Sequence, residues 1–203
     1  MNKKSFRLLT LLTTLLLSVS CSPKTESQSP VSEKGVAPIL IGSQVSELPD
    51  RVEGLYDSFE VIHFEDTETG FLPSRIYAQF KRDGKVCFEA DLDESGEQRI
   101  CSVHVFDPTI TYKGLGAGTP ISEILKTEAQ LYLTGNYSSC FFDAYFQLDN
   151  ICFAFDFFNG KSFSRTGKAR IINREFSEPT LFPLSAPDFQ HDAVISKICI
   201  YPL

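Results

Sequence analysis

Gly42-Ser43-Gln44-Val45-Ser46-Glu47-Leu48 recurs as Gly118-Thr119-Pro120-Ile121-Ser122-Glu123-Ile124, with the two glycines 118 − 42 = 76 residues apart. At that offset Leu55-Tyr56 meets Leu131-Tyr132. The register then slips and the match returns. Ala78-x-Phe80, Asp83-Gly84, Val86-Cys87-Phe88 and Asp91 correspond to Ala144-x-Phe146, Asp149-Asn150, Ile151-Cys152-Phe153 and Asp156. Last, Ile100-x-x-Val103-x-Val105-Phe106 corresponds to Ile195-x-x-Ile198-x-Ile200-Tyr201. Blocks that recur in one order point to one unit used twice. The pattern predicts an α+β protein of two tandem repeats, residues 36–110 and 111–203, each a short helix followed by an antiparallel sheet.

Within each repeat the local signals are specific. Thr119 fits a helix N-cap and Pro120 the first helical position, where its missing N–H costs nothing. Ile121, Ile124 and Leu125 share a helical face, as do Val45 and Leu48, and Pro49 is expected to end or bend the first helix. Half-alternating runs predict strands over 59–64, 76–81 and 86–91, then 141–148 and 151–158. Asp83-Gly84 and Asp149-Asn150 are hairpin turns, because these residues tolerate positive φ. Phe142, Phe146, Phe153, Phe155 and Phe157 make the second hairpin apolar on both faces, which predicts a central pair covered on both sides. Residues 98–106 and 195–201 close the two units.

The chain begins as an export signal. Lys3, Lys4 and Arg7 precede an apolar stretch, Leu8 to Leu17, and small residues lead to Cys21. That stretch is shorter than the roughly 20 residues of a membrane span. Residues 1–20 are therefore expected to be a signal peptide. A Cys directly after the cleavage point resembles a bacterial lipoprotein signal, which implies lipidation of Cys21 and attachment to a membrane of the cell envelope. Ser18 stands where that family usually has Leu. From Cys21, residues 21–35 read as a flexible tether, with Val31 its one large apolar residue.

Removing Lys3, Lys4 and Arg7 from 19 basic residues leaves 16 against 26 acidic ones, a formal charge of −10. That sign argues against nucleic acid as a partner. Beyond Cys21 the cysteines are Cys87, Cys101, Cys140, Cys152 and Cys199, an odd number. Export permits disulfides, and Cys87 and Cys101 flank the 93–96 turn almost symmetrically. They are either a cross-hairpin pair or small buried apolar residues.

The order Gly-[Ser/Thr]-x-x-Ser-Glu-[Leu/Ile], a helix, then strands with a Phe-x-x-Asp-Gly-x-Val hairpin resembles the repeat of the β-lactamase-inhibitor-protein superfamily. The outer-membrane assembly lipoproteins of the SmpA/OmlA (BamE) type share that unit. The chain also resembles uncharacterised tandem-repeat lipoproteins of Gram-negative envelopes. The resemblance spans about residues 36–203 and implies a binding surface on a sheet and no catalysis.

No motif predicts an enzyme, a cofactor or a metal centre. Lys113 to Thr119 is glycine-rich, but no Lys follows the last Gly, so it reads as a tight turn and not a phosphate loop. Asp91 to Glu97 resembles half a calcium loop, with Ser102 where the closing acid belongs. His63, His104 and His191 lie in no catalytic motif, and His63 and His104 read as exposed or hydrogen-bonded strand residues. The copies differ most at an insertion, residues 159–193, which carries Lys161, Arg165, Lys168, Arg170 and Arg174. Those cations are either a docking site for an acidic envelope protein or anionic glycan, or the solubilising charges of an added edge hairpin. The sequence as a whole predicts a non-catalytic, lipid-anchored envelope protein acting as a protein-binding module. A small-ligand or polysaccharide-binding lipoprotein is the alternative, and an unrecognised hydrolase the least favoured reading.

Overall fold

Asp83-Gly84 and Asp149-Asn150 nucleate the two hairpins around which the rest assembles. Asp83, Gly84 and Asp149 take φ values of 51°, 70° and 54°, the left-handed region that tight hairpins require. The structure is a computed structural model and describes residues 30–65, 74–95, 97–136, 141–155, 162–172 and 174–202. The first hairpin joins β5 (Arg75–Arg82) to β6 (Lys85–Leu92), and the second joins β9 (Phe141–Leu148) to β10 (Ile151–Phe155). Around them lie β4 (Ser58–Phe64), β7 (Ile100–Val105), β8 (Gln130–Asn136), β11 (Glu175–Leu181) and β12 (Ile195–Ile200). They form one nine-stranded antiparallel sheet, in the order β11-β8-β9-β10-β12-β7-β6-β5-β4. Three two-residue strands, β1 (Val31–Ser32), β2 (Gly35–Val36) and β3 (Ile39–Leu40), form a second sheet.

This architecture overturns the expected α+β pair of helix-plus-sheet repeats. The described residues are mostly β, and the α-helices among them are α1 (Leu48–Val52), α2 (Ile121–Ile124) and α3 (Arg165–Ile171). None is long enough to bury a sheet face by itself. The closing strands explain the merger. β7 and β12 would each present an unpaired edge, and they pair with each other, Val103 opposite Ile200, His104 opposite Cys199 and Val105 opposite Ile198. Two separate sheets thereby become one, which removes two open edges.

What the matched blocks share is a strap of backbone hydrogen bonds. Gly42 N–H donates to Ile100 C=O at 2.8 Å, and Gly118 N–H to Ile195 C=O at 2.7 Å. Ile100 N–H returns to Ser43 C=O at 2.9 Å, and Ile195 N–H to Thr119 C=O at 2.8 Å. Val45 N–H reaches Gln98 C=O at 3.0 Å, and Ile121 N–H reaches Ala193 C=O at 2.9 Å. The repeated heptapeptide is tied to the start of its closing strand before it enters a short helical turn. Thr119 accordingly does not cap α2. Its hydroxyl accepts from Gly116 N–H at 3.0 Å, and Pro120 occupies the cap position. Pro49 sits in the first turn of α1 and does not end it, since proline is tolerated there.

Each closing strand contains a bulge at the same place. Asp91 lies opposite Ser102 but Leu92 opposite Ile100, and Ala154 lies opposite Lys197 but Phe155 opposite Ile195. Cys101 and Ser196 are the extra residues. Ile100 and Ser102, two apart in sequence, therefore face opposite sides of the sheet.

One face is the core. Phe59, Phe80, Phe88, Val105, Ile198, Phe153, Phe146 and Leu131 lie directly opposite one another across eight strands. Phe80, Phe88, Phe146 and Phe153 are buried, each worth about 1.5–3 kcal/mol of apolar burial. The second hairpin was expected to be covered on both sides. Instead Phe146, Phe153 and Phe155 all face the core, while Tyr145, Gln147, Cys152 and Ala154 on the opposite face are partly exposed. β2 and β3 pack on β7 from the core side, with Val36 and Ile39 buried. Val31 is buried beside them, so residues 30–35, expected to be the end of the tether, belong to the folded body. Gly35 permits this: its φ is 123°, and a side chain there would run into the Ile39 backbone.

Cys87 and Cys101 do not face each other. Cys87 C=O accepts from Phe106 N–H, whereas Cys101 Sγ sits 3.3 Å from Asp91 C=O. They lie near opposite ends of the β6–β7 ladder, roughly 15 Å apart at strand rise, against the roughly 7 Å limit of a disulfide.

Candidate functional site

The second face of the sheet carries the chemistry. Along its middle run Glu60, Gln79, Glu89, His104, Cys199, Cys152, Gln147 and Gln130, each directly opposite the next. Strand alternation places Arg75, Tyr77, Asp91, Ser102 and Tyr201 on the same face. Its side chains are mostly half-exposed, but Ser102, His104 and Cys199 at the centre are buried, at 5%, 6% and 3% exposure.

These buried groups form one network. His104 Nε2 lies 2.8 Å from Asp91 Oδ2 and 3.2 Å from Ser102 Oγ, and Ser102 Oγ also donates to Asp91 Oδ2. Arg75 donates twice to Asp91 Oδ1, at 2.9 and 2.6 Å. The same guanidinium reaches Glu89 at 3.2 Å and stacks 4.2 Å from the Tyr77 ring centre. Across the β7–β12 junction, His104 Nδ1 lies 3.3 Å from Cys199 Sγ. Tyr201 packs edge-on to the imidazole, with centroids 6.0 Å apart.

The electrostatics follow from this arrangement. Partial burial works against the Asp91 charge. The His104 and Ser102 hydrogen bonds and the charges of His104 and Arg75 outweigh it and hold the carboxyl well below the usual range. Burial likewise disfavours the His104 imidazolium, but the Asp91 carboxylate and the Cys199 hydrogen bond raise its pKa above the ordinary 6.5. Burial pushes the Cys152 thiol up to about 11. Because an ionised carboxylate only accepts, Nε2 carries a proton and Nδ1 of the neutral ring accepts the Cys199 S–H.

A Cys–His–Asp chain invites comparison with acyl-transfer nucleophiles. Two features stand against that chemistry. Cys199 is 3% exposed, and it lies in mid-strand between β10 and β7. Backbone amides around it serve the sheet ladder, leaving no local pair of N–H groups for an oxyanion. Nor do the three groups suit one metal ion, because Asp91 and Cys199 bind opposite nitrogens of the same ring.

The residues singled out in the insertion lie elsewhere. Lys161 falls outside the described residues, as do Cys21 and Cys140. Arg165 is exposed on α3 and Lys168 is half-buried. Arg170 donates to Asp188 Oδ2 and to Pro183 C=O, both at 2.7 Å. Its guanidinium and that of Arg174 lie 5.6 and 5.2 Å from the Phe182 ring. Arg170 and Arg174 thus both lie against the Phe182 ring, and Arg170 neutralises a carboxylate that is 3% exposed. The insertion is not a simple edge hairpin. α3 packs on a 3₁₀ turn at Ala186–Asp188, and β11 extends the sheet beyond β8. Of the other motifs, Asp93 caps its own turn by accepting from Ser95 and Arg99. Lys113 and Gly114 form a positive-φ turn, and Lys113 Nζ lies 2.7 Å from Asp149. His63 and His191 are exposed.

No sequence motif marked the Asp91–Ser102–His104–Cys199 network. A signal was present all the same. Apolar residues spaced Ile-x-x-Val-x-Val break strict alternation: regular pairing puts Ser102 and His104 on the open face opposite Asp91 and Glu89, and the bulge at Cys101 returns Ile100 to the core.

Neither a protein-family model nor a curated protein sequence matches the chain. Among solved structures, it is similar to the crystal structure of the uncharacterized protein yfeY from Escherichia coli. The two share 17% identity over 84% of this chain and 98% of that one, with a TM-score of 0.46. That likeness is too loose to carry an argument about function. No helix among the described residues is long and apolar enough to cross a membrane.

Proposed function

We propose that this chain is a non-catalytic envelope protein, anchored by a lipid on Cys21, that binds a protein partner through the open face of its large sheet. The observation that carries this reading is a broad face bearing Tyr77, Tyr132, Tyr145 and Tyr201 around a centre whose polar groups already satisfy one another. Tyr132, Tyr145 and Tyr77 are half-buried and Tyr201 is 49% exposed. No described buried side-chain N or O lacks a hydrogen-bond partner. Tyr and Arg supply much of the binding energy at protein interfaces, and Arg75 lies over Tyr77 on β5. Arg165 on α3 is a second contact for an acidic partner.

Cross-linking pull-downs from envelope extract test this, with the wild-type chain beside Tyr132→Ser/Tyr145→Ser and Arg165→Gln variants. One dominant protein, lost with the tyrosine variant, supports the sheet face. Its loss with Arg165→Gln alone moves the site to the insertion. No enriched protein with any bait refutes a stable protein partner. The Tyr132–Tyr145 stack, with centroids 5.8 Å apart and rings 17° from parallel, favours polysaccharide as the second reading. It would show as tyrosine-dependent binding of envelope glycan to the same baits.

A further inference from the structure

The geometry points to Cys152 and Cys199 as a site of reversible intrachain disulfide formation, with His104 as the proton acceptor for the Cys199 thiol. Cys152 on β10 lies directly opposite Cys199 on β12. Residues directly opposite in an antiparallel pair have Cα atoms about 4.5–5.5 Å apart, inside the roughly 4.4–6.8 Å window of a disulfide. Their side chains share a face, so side-chain rotation is what must bring the two sulfurs together. Cys87 and Cys101 have no such register.

The two thiols are differently placed. Cys152 is half-exposed, whereas Cys199 is 3% exposed with Sγ 3.3 Å from His104 Nδ1. Asp91 holds the other nitrogen at 2.8 Å, which fixes the tautomer whose Nδ1 lone pair faces the sulfur. The co-reactant is a disulfide, either a small one such as oxidised glutathione or that of a dithiol oxidase. The small thiolate fraction of Cys152, its proton given to solvent, attacks one sulfur of that disulfide, forming a mixed disulfide and releasing a thiolate that takes up a proton. Cys199 then attacks the Cys152 sulfur, its proton passing to His104 Nδ1, and the second thiol leaves. The protein loses two electrons and two protons, and the incoming disulfide becomes two thiols. Cys199 never needs to reach solvent, because its target is its cross-strand neighbour. No oxyanion hole is required, which suits a sulfur set in the middle of a sheet.

The test uses the full chain, reduced, refolded and shown to be native by near-ultraviolet circular dichroism. It is exposed to oxidised glutathione, quenched with N-ethylmaleimide, digested and analysed by mass spectrometry. The expected product is a peptide pair joined through Cys152 and Cys199. Reduction should return both thiols. Full alkylation of Cys152 and Cys199 after oxidation overturns the site, and so does either sulfur joined to Cys87, Cys101 or Cys140 instead. Stopped time points on His104→Gln separate the role of the ring from that of the register. The same linked peptide should form about 100-fold more slowly, the low end of general-base assistance. Formation at the wild-type rate overturns the role of His104.

Discussion

Gly167 lies inside α3, where helix propensity alone says that Ala should stabilise by about 1 kcal/mol. The structure says the opposite. A Cβ on Gly167 would lie 2.9 Å from the carbonyl carbon of Asp188, 3.2 Å from its Cα, and closer still to its oxygen. Those atoms are backbone and cannot rotate away. Carbon atoms pack at about 3.5–4.0 Å, so α3 and the Ala186–Asp188 turn must separate by about 0.6 Å or more. Overpacking of that kind costs about 1–3 kcal/mol. The separation also loosens Ser164 N–H to Asp188 C=O, at 2.9 Å, and Ser164 Oγ–H to Pro187 C=O, at 2.7 Å, each worth about 1 kcal/mol. After subtracting the propensity gain, Gly167→Ala should destabilise by about 2 kcal/mol. In urea that is a midpoint lower by about 1 M at an unchanged slope. A midpoint equal to or above the wild type refutes the close packing of α3 on the turn, and with it the placing of the insertion.

Asp91→Asn should lower the His104 pKa, read by NMR titration, because the Cys199 hydrogen bond is then left to oppose burial without the carboxylate; an unchanged value refutes the coupling. The raised His104 value contributes stability that is complete below pH 6.5 and is lost as pH rises through the folded-state pKa. The lowered Asp91 value contributes stability that is complete above pH 3.8 and is lost as pH falls toward the folded-state pKa. Denaturation midpoints should therefore plateau between those limits and decline outside them, and the Asn variant should lose most of the decline on the alkaline side. Arg170→Ala leaves Asp188, whose side chain is 3% exposed, with Ser185 alone, and should cost about 1–3 kcal/mol. Arg165→Gln should change stability by less than about 0.5 kcal/mol. Equal effects of the two would mean that Arg170 is not a structural residue.

The sequence carried both hairpin turns, because Asp-Gly and Asp-Asn accept the positive φ such turns require, and β9 fell on residues 141–148 as expected, while β10 is described over Ile151–Phe155 of the expected 151–158. It did not carry the layers. The run of phenylalanines looked apolar on both sides because a count of Phe ignores Tyr145, Gln147 and Cys152, whose alternation with Phe146 and Phe153 marks the open face; the side chains of Phe142 and Phe157 lie outside the described residues. Nor did the match by turn give the register. Phe88 pairs with Val105, but its counterpart Phe153 pairs with Ile198, the counterpart of Val103. The second copy is therefore slid by two residues against its closing strand, a shift that preserves the faces and so leaves no trace in the pattern.

The candidate site was hidden for a deeper reason. His104 and Cys199 occupy the same position in the two copies of the closing motif. Within one copy, that position would lie on an exposed strand edge with nothing beyond it. An antiparallel pair made from two matched strands is its own mirror in register: Val103 meets Ile200, Val105 meets Ile198, and one matched position must meet itself. Here that position is 104 in one copy and 199 in the other. Duplication with divergence thus places two different side chains, an imidazole and a thiol, on the local axis of the sheet. The chemistry of this face arises at the joint between the copies, and a sequence reading that treats each copy as its own unit cannot find it.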